Sequence, residues 1–236
     1  MYNVYISSST QSTNVGVGQY GTEQDRMTQL ADRVKYWLET QKKFMVFRNN
    51  PKWSLSLITN DCNTLGCDLF VDNHTNAGDP SASGTEVFYY HQGGPESNSY
   101  KLANALYKEI APLSPGKDRG VLPDNKYVSG LHVIQNTKCP SALVEHLFHT
   151  NQIEVTDMIV NMDKYAKAEA KGICKYLGVA WVEPNSLEDD ISKLVADMVS
   201  NGIVTDKVYW HGVFKGKITP KPEYLQIAFR RAVGKL

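Results

Sequence analysis

Short runs rich in β-branched and aromatic residues alternate along this chain with stretches whose apolar residues recur every three or four positions. That alternation restricts the fold more than any other feature. Strands are predicted at 2–7 (YNVYIS), 44–48 (FMVFR), 68–74 (DLFVDNH), 84–91 (GTEVFYYH), 131–136 (LHVIQN) and 141–147 (SALVEHL). A helix is predicted from Glu23 to about Gln41, where Met27, Leu30, Ala31, Val34, Trp37 and Leu38 recur at helical spacing. Further helical patterns cover 97–110 and 155–178, and 53–63 is amphipathic, while the Pro- and Gly-bearing 112–130 region reads as loop. Strands alternating with helices predict an α/β domain: a mostly parallel twisted sheet with helices on both faces. This domain is expected to occupy 1–180, with a linker at 182–186. Residues 187–236 read as a small helical module, in which two helical patterns flank the Trp210 segment.

Lys+Arg and Asp+Glu both number 25, so the basic excess typical of a nucleic-acid binder is missing. No apolar run approaches the roughly 20 residues that a membrane helix needs. The opening MYNVYISSSTQ has neither the basic nor the apolar region of a secretory signal, so the chain is expected to be made in the cytoplasm. Cys62, Cys67, Cys139 and Cys174 match no common zinc spacing and read as buried thiols.

In an open α/β sheet, ligands gather outside the carboxyl ends of the strands. Three polar features fall at that edge: the run Ser7-Ser8-Ser9-Thr10-Gln11, His74 with Thr75, Asn76 and Ala77, and Glu145 after Ala142-Leu143-Val144. Glu23 opens the first helix at the same edge. Each has a plain alternative. Glu23 reads equally as a first-turn acid favoured by the helix dipole, with Thr22 as N-cap. His74 reads as a strand-end histidine that merely hydrogen-bonds. Glu145 is harder to dismiss, because a carboxylate after an apolar strand is costly to bury without a metal, a partner or a raised pKa. A histidine, two glutamates and a polar loop at one sheet edge is the layout of a metal-assisted hydrolase.

Gly21-Thr22-Glu23, then His74-Thr75-Asn76-Ala77, then Val144-Glu145-His146-Leu147-Phe148-His149-Thr150-Asn151 resemble, in order and separation, the type 3 zinc N-acetylmuramoyl-L-alanine amidases of bacterial autolysins and phage endolysins. The resemblance covers residues 2–178. It implies hydrolysis of the amide between N-acetylmuramic acid and L-alanine in peptidoglycan, with zinc as cofactor. It also implies Glu23 and His74 as metal ligands and Glu145 as the catalytic carboxylate. One departure stands out: the family's first ligand is a histidine after the first strand, and here that turn reads Ser7-Ser8-Ser9-Thr10. Gln11 is the candidate third ligand, with His149 or His91 as donors from the far side. Asn76 and His149 are candidate substrate contacts, and His146 and His149 flank the strand end as pocket walls or surface residues. Residues 187–236 would then serve wall attachment, docking or self-association, with Tyr209, Trp210, Tyr224 and Phe229 forming a small core or a sugar-stacking surface. A lysin that waits in the cytoplasm for membrane permeabilisation fits the absence of a signal.

Two other readings compete. One is a catalytically impaired wall-binding module. The other is a nucleotide-dependent enzyme, because Gly16-Val17-Gly18-Gln19-Tyr20-Gly21 is a literal G-x-G-x-x-G. In dinucleotide-binding folds the first glycine follows the strand almost at once, whereas here Ser8 to Val15 intervene. The glycines are instead expected to let a loop fold back across the site.

Overall fold

In the computed structural model the described residues are 1–183 and 203–220, together with Val195, Met198, Val199 and Ala228. The chain divides into two compact units, Met1–Val182 and Glu183–Leu236. In chain order the first unit contains β1 (Tyr2–Ser8), α1 (Glu23–Thr40), β2 (Phe44–Arg48), α2 (Leu55–Leu65), β3 (Leu69–Asn76) and β4 (Thr85–Tyr89). It continues with α3 (Asn98–Ile110), β5 (Asp118–Pro123), α4 (His132–Asn136), β6 (Ser141–Phe148) and α5 (Gln152–Tyr176).

The six strands form one sheet in the order β2-β1-β3-β6-β4-β5. β2, β1, β3 and β6 run parallel, and β4 enters antiparallel to β6 with β5 parallel beside it. Alternate side chains of each strand therefore serve two cores. On one face Val4, Ile6, Leu69, Val71 and Val144 meet Leu30, Val34, Leu106, Met158 and Ile173 of α1, α3 and α5. On the other, Tyr5, Phe70, Phe88 and Leu143 meet Ile58 and Cys62 of α2 and Val133 and Ile134 of α4. Burying a side chain such as Leu30 or Leu106 completely contributes about 1.5–3 kcal/mol.

The helices begin where local chemistry allows. Thr22 caps α1 by accepting from Asp25 N, Ser54 caps α2 by accepting from Leu57 N, and Asn151 caps α5 by accepting from Ile153 N and Glu154 N. Asn151 thus starts α5 at Gln152, three residues before the predicted onset.

Two sequence-based expectations are corrected. Residues 131–136 are not a strand: His132–Asn136 is the short helix α4. Both edges of β6 are taken by β3 and β4, so no place in the ladder is free beside it, and Val133 and Ile134 bury themselves against the α2 side instead. Conversely, the expected loop at 112–130 contains β5, a half-buried edge strand that carries Gly120 and ends at Pro123.

In the second unit, α6 (Lys207–Phe214) covers the Trp210 segment itself, started by Asp206 accepting from Tyr209 N at 2.8 Å. Trp210 is buried with Val195, Val204 and Ala228, so it belongs to a small core and not to a sugar-stacking surface. The helical patterns expected on either side of it, with Tyr224 and Phe229, lie for the most part outside the described residues.

Candidate active site

The carboxyl ends of β1, β3 and β6 and the first turn of α1 meet at one sheet edge, and they bring Gln11, Glu23, His74 and Glu145 together. Glu23 is not a solvent-facing first-turn acid. Its side chain is 1% exposed, and Oε1 lies 2.8 Å from His74 Nδ1. The other ring nitrogen, Nε2, lies 3.1 Å from Asp72 Oδ2. Asp72 and His74 are two apart on β3, so they share a face of the sheet. Burial disfavours a charged His74, but the Asp72 carboxylate and the bond to Glu23 outweigh it and hold its pKa well above 6.5. Burial likewise pushes Glu23 up, and His74, Asn14 and Ser9 together bring it below its ordinary value.

Gln11 is exposed on the turn after β1, with Nε2 3.4 Å from His74 Nδ1. Asn14 ties the group together, its Nδ2 donating to Gln11 Oε1 at 2.5 Å and to Glu23 Oε2 at 2.9 Å. The glycine-bearing loop does fold back as expected. Val15 bridges Thr22, Gly16 N donates to Gly21 O, and Glu23 N donates to Asn14 O. Gly18 (φ 59°) and Gly21 (φ 79°) take the left-handed backbone that this reversal needs.

Glu145 is the Cα partner of His74 on β3 and of Glu86 on β4, so the three side chains line up on one face. Its Oε2 is sealed from solvent and has no hydrogen-bond partner among the described residues. Burial raises its pKa from 4.5 to about 8; the nearby His74 opposes the rise, and Glu23, Glu86 and Asp72 add to it.

Other expected contacts fall elsewhere. His149 is 3% exposed, stacked on Tyr20 and hydrogen-bonded through Nδ1 to Thr75, so its ring forms part of the wall behind the site. It also accepts Val17 N on its carbonyl, anchoring the loop. His146 is fully buried on the opposite face, against Asn73 and Glu169, and is no surface residue. His91 follows β4, whose antiparallel course carries it to the far edge of the sheet, where Asp124 binds it at 2.6 Å. His91 is therefore remote from Glu23, His74 and Glu145. Asn76 does lie at the site, but its Nδ2 is held by Glu86 Oε1 at 2.6 Å.

Sequence reasoning missed Asp72, Asn14, Glu86 and Arg119. The i, i+2 spacing to His74 carried the signal for Asp72; the others are brought in by the loop and by β4 and β5, and no local pattern marks them.

A family model described as N-acetylmuramoyl-L-alanine amidase matches residues 6–177. The N-acetylmuramoyl-L-alanine amidase LytC of Bacillus subtilis is 32% identical over 130 residues, which is 54% of this chain and 25% of that protein. CwlM of Bacillus licheniformis, of the same name, is 25% identical over 182 residues, 74% of this chain and 68% of that one. The chain thus spans a quarter of one relative and about two thirds of the other. The catalytic domain of CwlV, an N-acetylmuramoyl-L-alanine amidase from Bacillus (Paenibacillus) polymyxa var. colistinus, superposes with a TM-score of 0.68 at 26% identity, covering 76% of this chain and 100% of that one. With about three quarters of its length matched by that family model, the chain belongs to the N-acetylmuramoyl-L-alanine amidase family of the Amidase_3 type.

Proposed function

We propose that this chain hydrolyses the amide bond between N-acetylmuramic acid and L-alanine in bacterial peptidoglycan, with zinc as its cofactor and Glu145 as its general acid–base. The observation that carries the reading is the Glu145 carboxyl: one oxygen without a partner, beside His74, at the sheet edge where the family's motifs converge.

Among the described residues, no three His, Cys, Asp or Glu side chains group as a ready-made metal cage. The donors present nevertheless fit a metal ion. Asp72 holds His74 Nε2, so Nδ1, which Glu23 Oε1 and the Gln11 amide both meet, is the nitrogen that would bind an ion on giving up its proton. A carboxylate behind a ligating imidazole is the usual means of orienting it. Glu23, His74 and Gln11 would hold the ion, with Gln11 the weakest donor. Coordination through its oxygen requires the amide to turn over and give up its bond from Asn14.

An ion held by Glu23, His74 and Gln11 would supply a water with its pKa lowered to about 7 and would polarise the scissile carbonyl. Glu145 accepts a proton on its unpartnered oxygen as water adds to the carbonyl carbon. It returns that proton to the alanine nitrogen as the C–N bond breaks, because the amine leaves poorly unless protonated. Burial, which raises the proton affinity of Glu145, suits it to hold the proton between the two steps.

Digestion of purified peptidoglycan tests this. New L-alanine amino termini without new reducing sugar ends are expected. New reducing ends would mark a glycosidase, and no product at all from zinc-loaded protein would favour a wall-binding module without turnover.

A further inference from the structure

His74, Glu145, Glu86 and Arg119 stand in one row across four adjacent strands, β3, β6, β4 and β5. His74 pairs with Glu145, and Glu145 with Glu86. Arg119 is the residue left beside Glu86 by the irregularity between the Thr85–Asp118 and Glu86–Gly120 pairs. Two members of the row, Glu145 and Glu86, stand with Glu23 and Asp72 nearby, so four carboxyl groups gather at this edge around His74.

Arg119 is unusually well held for a partly exposed cation. Its Nε donates to Glu86 Oε2 at 2.9 Å, and its Cζ lies 4.9 Å from the centre of the Phe148 ring. Glu86 is fully buried and is itself fixed by Asn76. A guanidinium has five N–H donors; Glu86 takes one of them and the Tyr127 hydroxyl engages the group as well. With 28% of the side chain reached by solvent, donors remain for another acceptor.

We propose that Arg119 binds a carboxylate of the substrate's stem peptide: the free α-carboxylate of the D-glutamate that follows L-alanine. The inference rests on the amidase reading above. Adjacent strands are about 4.8 Å apart, so β5 lies about 10 Å from β6. Phe148 is on β6, so the guanidinium reaches back from β5 across β4 to the end of β6. An extended peptide covers about 3.5 Å per residue, which puts the second residue's carboxylate about 7 Å from the scissile carbon. A fixed cation at the end of the row gives an anionic peptide one favourable register. Arginine's planar fork is suited to that bidentate contact.

Two synthetic muramyl peptides test the idea in the full chain. They differ in one group, D-glutamate with a free α-carboxylate against D-isoglutamine with a carboxamide. The wild type is expected to favour the carboxylate about 10–100-fold in kcat/KM, mostly through KM. Arg119→Gln should bring that ratio close to one, and Arg119→Lys should keep part of it, since the charge remains without the fork. A purely structural Arg119, serving to neutralise Glu86, would instead lower both substrates alike and leave the ratio unchanged; that result overturns the proposal. Calorimetric binding of L-Ala-D-Glu and L-Ala-D-isoglutamine to Glu145→Gln, with and without Arg119→Gln, reads the same preference without turnover. If the wild type cuts neither substrate, the amidase reading fails, and the binding measurement still decides whether Arg119 distinguishes the two peptides.

Discussion

Glu145→Gln removes one titratable group from the cavity while keeping its shape, so its stability should diverge from that of the wild type only where the carboxyl ionises. Burial and the neighbouring carboxylates raise that pKa from 4.5 to about 8 against the opposing pull of His74. Below about pH 4.5 the group is neutral in folded and unfolded chains, and its contribution is intact. Between there and about pH 8 the unfolded chain releases the proton and the folded chain keeps it, so stability falls as pH rises, and the loss is complete above pH 8. At about 1.4 kcal/mol per pH unit the ceiling is near 5 kcal/mol. The site opens to solvent beside exposed Gln11, and screening brings the expected effect to about 1–3 kcal/mol. Urea unfolding of the metal-free proteins at pH 5, 7 and 9 measures it. The variant should gain on the wild type by that amount from pH 5 to pH 9. A difference that stays flat, or one that shrinks, would refute the claim that Glu145 is held neutral by its surroundings. Zinc should narrow the gap, because a dication beside the carboxylate favours its charged form.

Chelation should abolish hydrolysis and zinc restore it; full activity in excess chelator, with no metal detected in the protein, would sink the zinc reading. Gln11→Ala should weaken zinc retention, and unchanged occupancy would move the third contact elsewhere. Asp72→Asn should lower zinc affinity about 10–100-fold, since it disturbs the hydrogen bond that orients His74 without removing a ligand; an unaltered Kd would make that bond incidental. Glu145→Gln should keep the fold and the metal while turnover drops about 10²–10⁴-fold. His74→Ala, in contrast, should lose metal and activity together. If Glu145→Gln also sheds zinc, Glu145 is a ligand and the proton carrier lies elsewhere. Leu106→Ala, at a fully buried position of α3, should cost about 2–5 kcal/mol in chemical unfolding; a loss under 1 kcal/mol would mean that the core between α3 and the sheet closes over the cavity.

Elements whose pattern is local can be read from consecutive residues alone. The 3.6-residue periodicity of α1 and the apolar runs of β1, β3 and β6 are written in consecutive residues, and His74 and Glu145 stand near the ends of β3 and β6, which run on to Asn76 and Phe148. Glu145 announced itself because a carboxylate after Ala142-Leu143-Val144 needs a reason to be there. Asp72 was legible in principle, two residues before His74. What the sequence did not carry is which strand lies beside which. The antiparallel entry of β4 next to β6 places Glu86 opposite Glu145, removes His91 to the far edge and draws Asp118–Pro123 out of an apparent loop into the sheet. The same arrangement left residues 131–136 without a ladder to join, and they folded as α4. Strand pairing depends on hydrogen bonds between segments distant in sequence, and a short apolar run is equally content in a helix or a strand until its neighbours decide. For that reason the row from His74 to Arg119 exists in the tertiary structure alone.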